Sequence, residues 1–435
     1  MSAVSPSPAA SAPKLLRWAP AWVLAFVALW PLHGFAELLL VLGALTGLAT
    51  LLVQRFRGGT RLLSGPAWAL TSVLFFTYWL PELVSALDAV DTWRSLREVL
   101  IDLRYLPFLW LVAAAVDTQR GWRKTFTGLG VIALLWTLDA LMEAAIGHSP
   151  VFWLLDHARI ALTGHSMCAG STVVADRLGG VLGPCNLKLG ILLASLSPFA
   201  LDLAWRKFGR AGWLLAALGI GLVIILAGSR ASWITYALVM LWTGWRALGW
   251  KRLGLLFAAG ALAMTLATVV SPQVRGRMQL TAQALSANEQ GVDAALTGRG
   301  RIWSAAVCML REHPINGVGV RGFRDAFPGC DPQPGVVAAW GTGVALHAHQ
   351  IVLEVLSETG LVGFMIWLAG AALALRAWRF ADAAARTRAR PAMLALAVSV
   401  FPLNTHLAAY STFWGSVLLL LAALYAGSLL GRDSD

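Results

Sequence analysis

The chain has 435 residues, of which 58% are apolar and 13% charged, whereas an ordinary soluble domain carries about 25% charged residues. Twelve apolar stretches of about 20 residues would use roughly 240 residues, close to the whole apolar inventory, so a soluble globule is excluded, as are a disordered chain, a soluble nucleic-acid reader and a β-barrel of short alternating strands. The net charge of +12 is then read by location, because Lys and Arg in such chains mainly report orientation.

Residues 1–13 are rich in Ser, Pro and Ala and read as a disordered stretch of a cytoplasmic tail, 1–17. The first apolar run has no small-x-small cleavage site after it and a second run follows at once, so a retained first helix is expected rather than a signal peptide. Spans are expected near 18–34, 36–54, 66–87, 100–116, 126–147, 187–205, 211–228, 231–249, 253–270, 351–375, 391–410 and 412–431. The expected fold is an all-α polytopic membrane protein of about 12 transmembrane helices. Spans 1–9 occupy 18–271, a large, partly helical loop occupies 272–350, spans 10–12 occupy 351–431, and 432–435 form a second tail.

Basic residues sort between alternate short connections: Lys14 and Arg17; Arg55, Arg57 and Arg61; Arg120, Arg123 and Lys124; Arg206, Lys207 and Arg210; Arg246, Lys251 and Arg252; then Arg376, Arg379, Arg386, Arg388 and Arg390, with Arg432 at the end. By the positive-inside rule both termini are expected in the cytoplasm, and the long connections 156–186 and 272–350 outside. The second is about 80 residues long, and a loop of that length in an economical chain is where function is expected. The four cysteines fix no pairing, although Cys168 and Cys330 lie in the outer connections and Cys185 at their edge; a disulfide is permitted if that compartment is oxidising.

Several outer arginines fall outside the orientation rule. Arg94, Arg97 and Arg104 lie within about 80° of one another on a helix, forming a basic stripe or pairing with Asp88, Asp91, Glu98 and Asp102. Arg177 precedes the Gly-rich turn 178–184, followed by Asn186 and Lys188; such a turn either aims backbone N–H groups at an anion or marks a helix entry. Arg230 stands in Gly228-Ser229-Arg230-Ala231-Ser232, a tight outer turn that needs Gly or Ser but not Arg. Snorkelling to lipid head groups is one reading; a bound anion, matched by the planar guanidinium fork, is the other. The long loop adds Arg275, Arg277, Arg299, Arg301, Arg311, Arg321 and Arg324 against Glu289, Asp293, Glu312, Asp325 and Asp331, which makes a diphosphate or similar anion the natural partner class.

The loop ends in His347-Ala348-His349-Gln350. His349, Leu353, Leu356, Gly360 and Gly363 recur at steps of four and three, as on one helix face, with the glycines permitting close approach of another helix. A histidine beside cations is biased to its neutral form and is then able to accept a proton from a hydroxyl nucleophile. Hydrogen bonding or helix capping is the plainer role. The His-x-His pair lacks an evident third ligand for a metal, and Glu354 and Glu358 read as structural partners of arginines.

Together these pieces resemble the O-antigen ligase/polymerase family of bacterial envelope glycosyltransferases. The resemblance rests on Ser229-Arg230; Thr297-Gly298-Arg299 with Trp303; His313-Pro314-Ile315-Asn316-Gly317-Val318-Gly319 followed by Phe323; the helix from His349 to Gly363; and, more weakly, Arg177 to Asn186. Gln350 departs from the Asn usual in the family, and Asn404, His406 and Tyr410 give no assignable carboxylate. The resemblance implies a GT-C-like glycosyltransferase at the periplasmic face of the bacterial inner membrane, working without cofactor, nucleotide or metal in lipopolysaccharide biosynthesis. It implies an undecaprenyl-diphosphate-linked O-antigen as donor and lipid A-core oligosaccharide as acceptor. His349, Arg230 and Arg299 are its implied catalytic residues, and Arg230, Arg299, Arg301, Arg177, Arg104 and Arg97 its implied diphosphate ligands. A ligase is favoured over an O-antigen polymerase or a protein O-oligosaccharyltransferase of the same family. From another class, a secondary transporter or lipid flippase also suits twelve spans, but transporters usually carry polar site residues near the midplane.

Overall fold

A computed structural model describes residues 14–57, 61–171, 173, 177–270, 275–276, 279, 299–335, 343–402 and 408–432. Thr297, Gly298, Arg277, Asn404 and His406, all considered above, lie outside the described residues, as does the N-terminal stretch 1–13. Among the described residues the chain is helical throughout: α1 Lys14–Ala28, α2 His33–Arg57, α3 Gly65–Ala86, α4 Thr92–Asp102, α5 Tyr105–Ala114, α6 Gln119–Ile146, α7 Pro150–Thr163, α8 Leu189–Leu226, α9 Arg230–Leu248, α10 Trp250–Val270, α11 Arg299–Glu312, α12 Phe323–Cys330, α13 Ile351–Phe380, α14 Ala383–Ser399 and α15 Thr412–Leu430.

Six of these, α2, α3, α6, α8, α13 and α15, are long and apolar enough to cross a membrane. The protein is thus a polytopic helical membrane protein. The 38-residue α8 is two helices joined at Gly209, whose φ of 59° and ψ of −144° leave the helical region; this is where the sequence separates two expected spans. Two other expectations are corrected. The span expected at 100–116 is divided between α4 and α5, with the chain turning at Leu103 and Arg104, and the span expected at 391–410 leaves the helix after Ser399.

The core runs along α15, whose residues are buried almost throughout. It packs against α14, α5 and α3, while α6 lies along α8 and α3 along α13. An apolar helix with no polar face fits only where neighbours surround it. Helix entries follow local chemistry: Ser64, Thr118, Ser149, Ser229, Asp382 and Ser411 each accept an N–H of the first turn behind them, satisfying donors that a helix leaves open.

The segment 313–319 is built into the helix bundle. At Gly360 (φ 63°, ψ −167°) α13 is broken, so the carbonyls of Ser357 and Glu358 lose the N–H groups four residues on. They accept instead from Val318 (2.9 Å) and Gly319 (3.0 Å), while the N–H groups of Leu361 and Val362 donate to the carbonyls of Pro314 (2.9 Å) and Ile315 (3.2 Å). The approach demands glycine on both sides: a Cβ on Gly360 would stand 2.2 Å from the Ile315 oxygen, and one on Gly317 2.4 Å from the Glu358 carbonyl carbon. The loop therefore replaces the helical hydrogen bonds that the break removes.

Two disulfides tie down the long connections. Cys168 bonds Cys185 across 17 residues, and Cys308 bonds Cys330 across 22, joining α11 to α12.

Candidate active site

Two arginines from distant parts of the chain, Arg230 and Arg177, act electrostatically on a third, Arg299. Arg230 is the first residue of α9, entered through Gly228 (φ 70°) and the Ser229 cap. Arg299 opens α11. Arg177 lies just before Leu178, whose N–H donates to the Leu226 carbonyl at the end of α8 (3.4 Å) and so brings this segment beside the α8–α9 turn. Burial, then the like charges of Arg230 and Arg177, push Arg299 down to about 10. Charges of one sign gathered in a half-buried place favour an anion among them.

The Gly-rich turn behind Arg177 does aim backbone N–H groups at an anion, but the anion belongs to the chain. Gly179 and Gly180 donate to the two carboxylate oxygens of Glu143 on α6, at 3.2 and 2.5 Å. The turn is thus an anchor for Arg177. Glu143 carries no mark in the motifs, yet a carboxylate inside an apolar run is costly enough to deserve a partner, and that was its readable signal.

The remaining candidate arginines are placed differently. Arg301 is held by Asp331 through two hydrogen bonds, Nε to Oδ1 at 2.7 Å and Nη2 to Oδ2 at 2.5 Å, and also donates to the Gln333 carbonyl. Arg104 pairs with Glu37 at 2.9 Å, lies 4.0 Å from Asp102 and covers the Tyr105 ring. Arg97 is exposed on α4. Its neighbour Arg94 is bonded to Asp325 and lies 3.7 Å from Asp91. Arg94 and Arg104 thus pair with acids, but chiefly with Asp325 and Glu37; of the acids the sequence suggested, only Asp91 and Asp102 lie near, at 3.7 and 4.0 Å.

His349 is buried, with 6% of its surface exposed, and its φ of 54° places it in the left-handed region that residues with a Cβ seldom enter. This corrects the expected helix face. The helix α13 begins at Ile351, two residues later, and breaks at Gly360, so the spacing from His349 to Gly363 does not describe one continuous stripe. Gln350 caps α13, its Oε1 accepting from the Leu353 N–H at 2.5 Å while its Nε2 donates to the Pro402 carbonyl at 2.7 Å. Capping suits an Asn-like amide at this position. Trp303 of α11 donates to the Ala348 carbonyl at 3.1 Å, and Ile302 shares a buried cluster with Ala345 and Ala348. The short helix that opens with Arg299 therefore also holds the segment carrying His349. The His347 ring lies 3.9 Å from that of His349.

Beside this site lies a buried polar layer that the motifs did not announce. Arg321, also at positive φ (62°), donates its N–H to Glu358 Oε2 at 2.9 Å. Glu354 Oε1 accepts from the Tyr410 N–H at 3.2 Å, and the Tyr410 hydroxyl accepts from Trp367 at 3.0 Å. Glu82 of α3 is fully buried. The loop is tied to α3 by the Val320 N–H, which donates to Ser85 Oγ at 3.2 Å. Among the described residues one group has metal-like spacing, Cys308, Glu312 and Cys330, but its two sulfurs are bonded to each other, so they offer no thiolate.

Residues 190–368 match the family model Wzy_C, O-antigen ligase. The matched stretch runs from α8 into α13 and includes Arg230, Arg299 and His349; Arg177 and Glu143 precede it. No curated protein matches the chain.

Proposed function

Taking the O-antigen ligase domain at residues 190–368 as the premise, we propose that this protein transfers a polysaccharide from undecaprenyl diphosphate to a hydroxyl of lipid A-core oligosaccharide at the periplasmic face of the inner membrane. The observation that carries the reading is the field at Arg299, on which the like charges of Arg230 and Arg177, from two other segments, bear. A diphosphate is the ligand whose charge and oxygen acceptors match them. In the reaction the acceptor oxygen bonds to the anomeric carbon as the bond from that carbon to the diphosphate oxygen breaks. The hydroxyl proton passes to His349, and undecaprenyl diphosphate leaves.

Attack opposite the leaving group inverts the anomeric centre. Arg230, Arg299 and Arg177 stabilise the negative charge that grows on the diphosphate, an effect worth about 10² to 10³ in rate for each well-placed donor. A base of the His349 kind contributes roughly 10² to 10⁴. The leaving diphosphate supplies the driving force and the arginines the countercharge, so neither nucleotide nor metal enters the scheme. Lateral access from the bilayer, in a GT-C-like arrangement of about twelve spans, admits both lipid-linked substrates. The disulfides in the two connections expected outside agree with an oxidising compartment.

The test uses purified protein in detergent with lipid-linked O-antigen and lipid A-core, without ATP or added metal, comparing wild type with His349→Ala and Arg230→Ala. Ladder-like lipopolysaccharide from wild type alone is the expected result. Lengthening of the lipid-linked chain without transfer to lipid A-core would make the protein a polymerase. Binding of both substrates with no product would turn the reading to transport.

A further inference from the structure

The helix that begins with Arg230 carries a second basic residue near its other end. Arg246 lies sixteen residues along α9, about 24 Å away at the helical rise. It therefore marks the opposite end of the bundle from the arginines of the candidate site. Here α8, α9 and α14 leave a cavity of about 550 Å³ between them, lined by Trp205, Trp213, Trp245, Arg246, Arg390 and Asp202 among others.

Three features define what fits this cavity. First, its positive charge exceeds its negative charge: its one acid, Asp202, pairs with Arg206 at 2.8 Å, and its attraction for Arg390 does not outweigh burial and the like charge of Arg246, which push Arg390 down. Second, Trp205 and Trp245 are partly exposed at its walls (39% and 44%), the placement of tryptophans that meet the boundary between lipid and water. Third, the rest of the lining is largely apolar, with Pro198, Leu201 and Leu394. A soluble phosphate satisfies the first feature alone; a phosphate attached to acyl chains satisfies all three.

We propose that this cavity binds one anionic glycerophospholipid of the leaflet opposite the candidate site, its phosphodiester between Arg246 and Arg390 and its acyl chains along the apolar wall. The separation along α9 makes the site distinct from any lipid-linked substrate held at Arg230. The proposal does not depend on which transfer reaction the protein catalyses. Its role would be to fasten α14 to the α8–α9 pair at an end of the bundle where like charges otherwise oppose closure.

Native mass spectrometry of the purified full chain tests it, with phosphatidylglycerol, phosphatidylcholine or glycerol 3-phosphate added separately. Wild type is expected to retain one phosphatidylglycerol under activation that strips phosphatidylcholine, and to melt at a higher temperature with phosphatidylglycerol present. The R246Q/R390Q double variant should bind it about 30-fold more weakly, from roughly one unit of membrane-surface attraction per arginine. The R246K/R390K variant should keep most of the binding, since lysine holds phosphate as a point charge. Equal retention of phosphatidylcholine by wild type overturns the proposal, and this arm needs no variant to fold. Undiminished binding to folded R246Q/R390Q also overturns it, and displacement by glycerol 3-phosphate at matched concentration would reduce the site to one for the headgroup alone.

Discussion

Arg299 and Arg301 stand two residues apart at the start of one helix, and the structure treats them oppositely. Arg301 meets a carboxylate of its own chain in a two-point hydrogen bond with Asp331. Arg299 feels the like charges of Arg230 and Arg177. The first fastens α11 to the chain after α12; the second brings like charge to bear on Arg299, which suits an anionic ligand. Two residues of one kind in one motif thus differ in what faces them, and the proposed function assigns the diphosphate to the second.

The largest expected effect breaks that comparison at Arg299. Arg299→Ala should lower the transfer rate about 10²- to 10³-fold, while its melting temperature stays level or rises because a like charge has been removed from a half-buried place. Arg299→Lys should recover part of the rate but not all, since the planar fork is lost. Rate and thermal unfolding measured on the same preparations decide it. If Arg299→Ala unfolds early and the rate loss follows stability alone, the division between the two arginines is wrong.

Next come the covalent supports. Replacing Cys308 and Cys330 together by Ser should cost about 3 kcal/mol of stability, from the entropy of a loop of this length, and should loosen the α11–α12 pair that carries both arginines. Hydrogen exchange in α11 would register the loosening. Equal protection in the variant and wild type would show that Arg301 and the buried cluster around Phe323 hold the pair without the disulfide.

Smaller again is the loss of the Arg301 partner. Asp331→Asn should cost about 1.5 to 3 kcal/mol, the range for hydrogen bonds to charged groups, with the rate little changed once the protein is folded. The pair also has a pH signature. Arg301 holds the Asp331 carboxyl below the usual carboxylate range, so its contribution is complete above about pH 3.9, the unfolded value. It is lost as pH falls through the lower folded value. Acid unfolding of Asp331→Asn should therefore lack this component, and identical acid profiles in the two proteins would remove the pair from the account.

How far the sequence reveals this arrangement depends on the kind of information involved. The apolar runs announce a helical membrane protein because burial of side chains in lipid is written residue by residue. Arg177, Arg230 and Arg299 each stand out locally, by a turn that needs no arginine or by a motif. That Arg230 and Arg177 both bear on Arg299 is not local information: Arg177, for one, is brought beside the α8–α9 turn by the Leu178–Leu226 hydrogen bond and by Glu143 holding the Gly-rich turn. For the same reason Arg301, Arg104 and Arg97 look equivalent to them in sequence, since a basic residue does not display its partner. The spacing from His349 to Gly363 suggests one helix face, yet a helix break at Gly360 is invisible to periodicity when the strand of chain that repairs it, 313–319, lies some forty residues earlier. Glu82 and Glu143 were readable as costly carboxylates in apolar runs, but only the fold shows that Glu143 holds the Gly-rich turn.

The smallest effect separates a cap from a charge. Ser229 caps α9 through a long 3.5 Å contact from the Ser232 N–H to its Oγ, so Ser229→Ala should cost near the low end of the capping range, about 0.5 kcal/mol. Ser229→Asp keeps an equally good cap and places a carboxylate next to Arg230. The two variants should then cross: the Asp variant more stable than the Ala variant, yet slower in transfer, because its carboxylate takes up the positive charge meant for the diphosphate. Melting temperatures and transfer rates in parallel read this out. An Asp variant as active as wild type would mean that Arg230 meets no anion during the reaction, and the charge cluster would then rest on Arg299 and Arg177 alone.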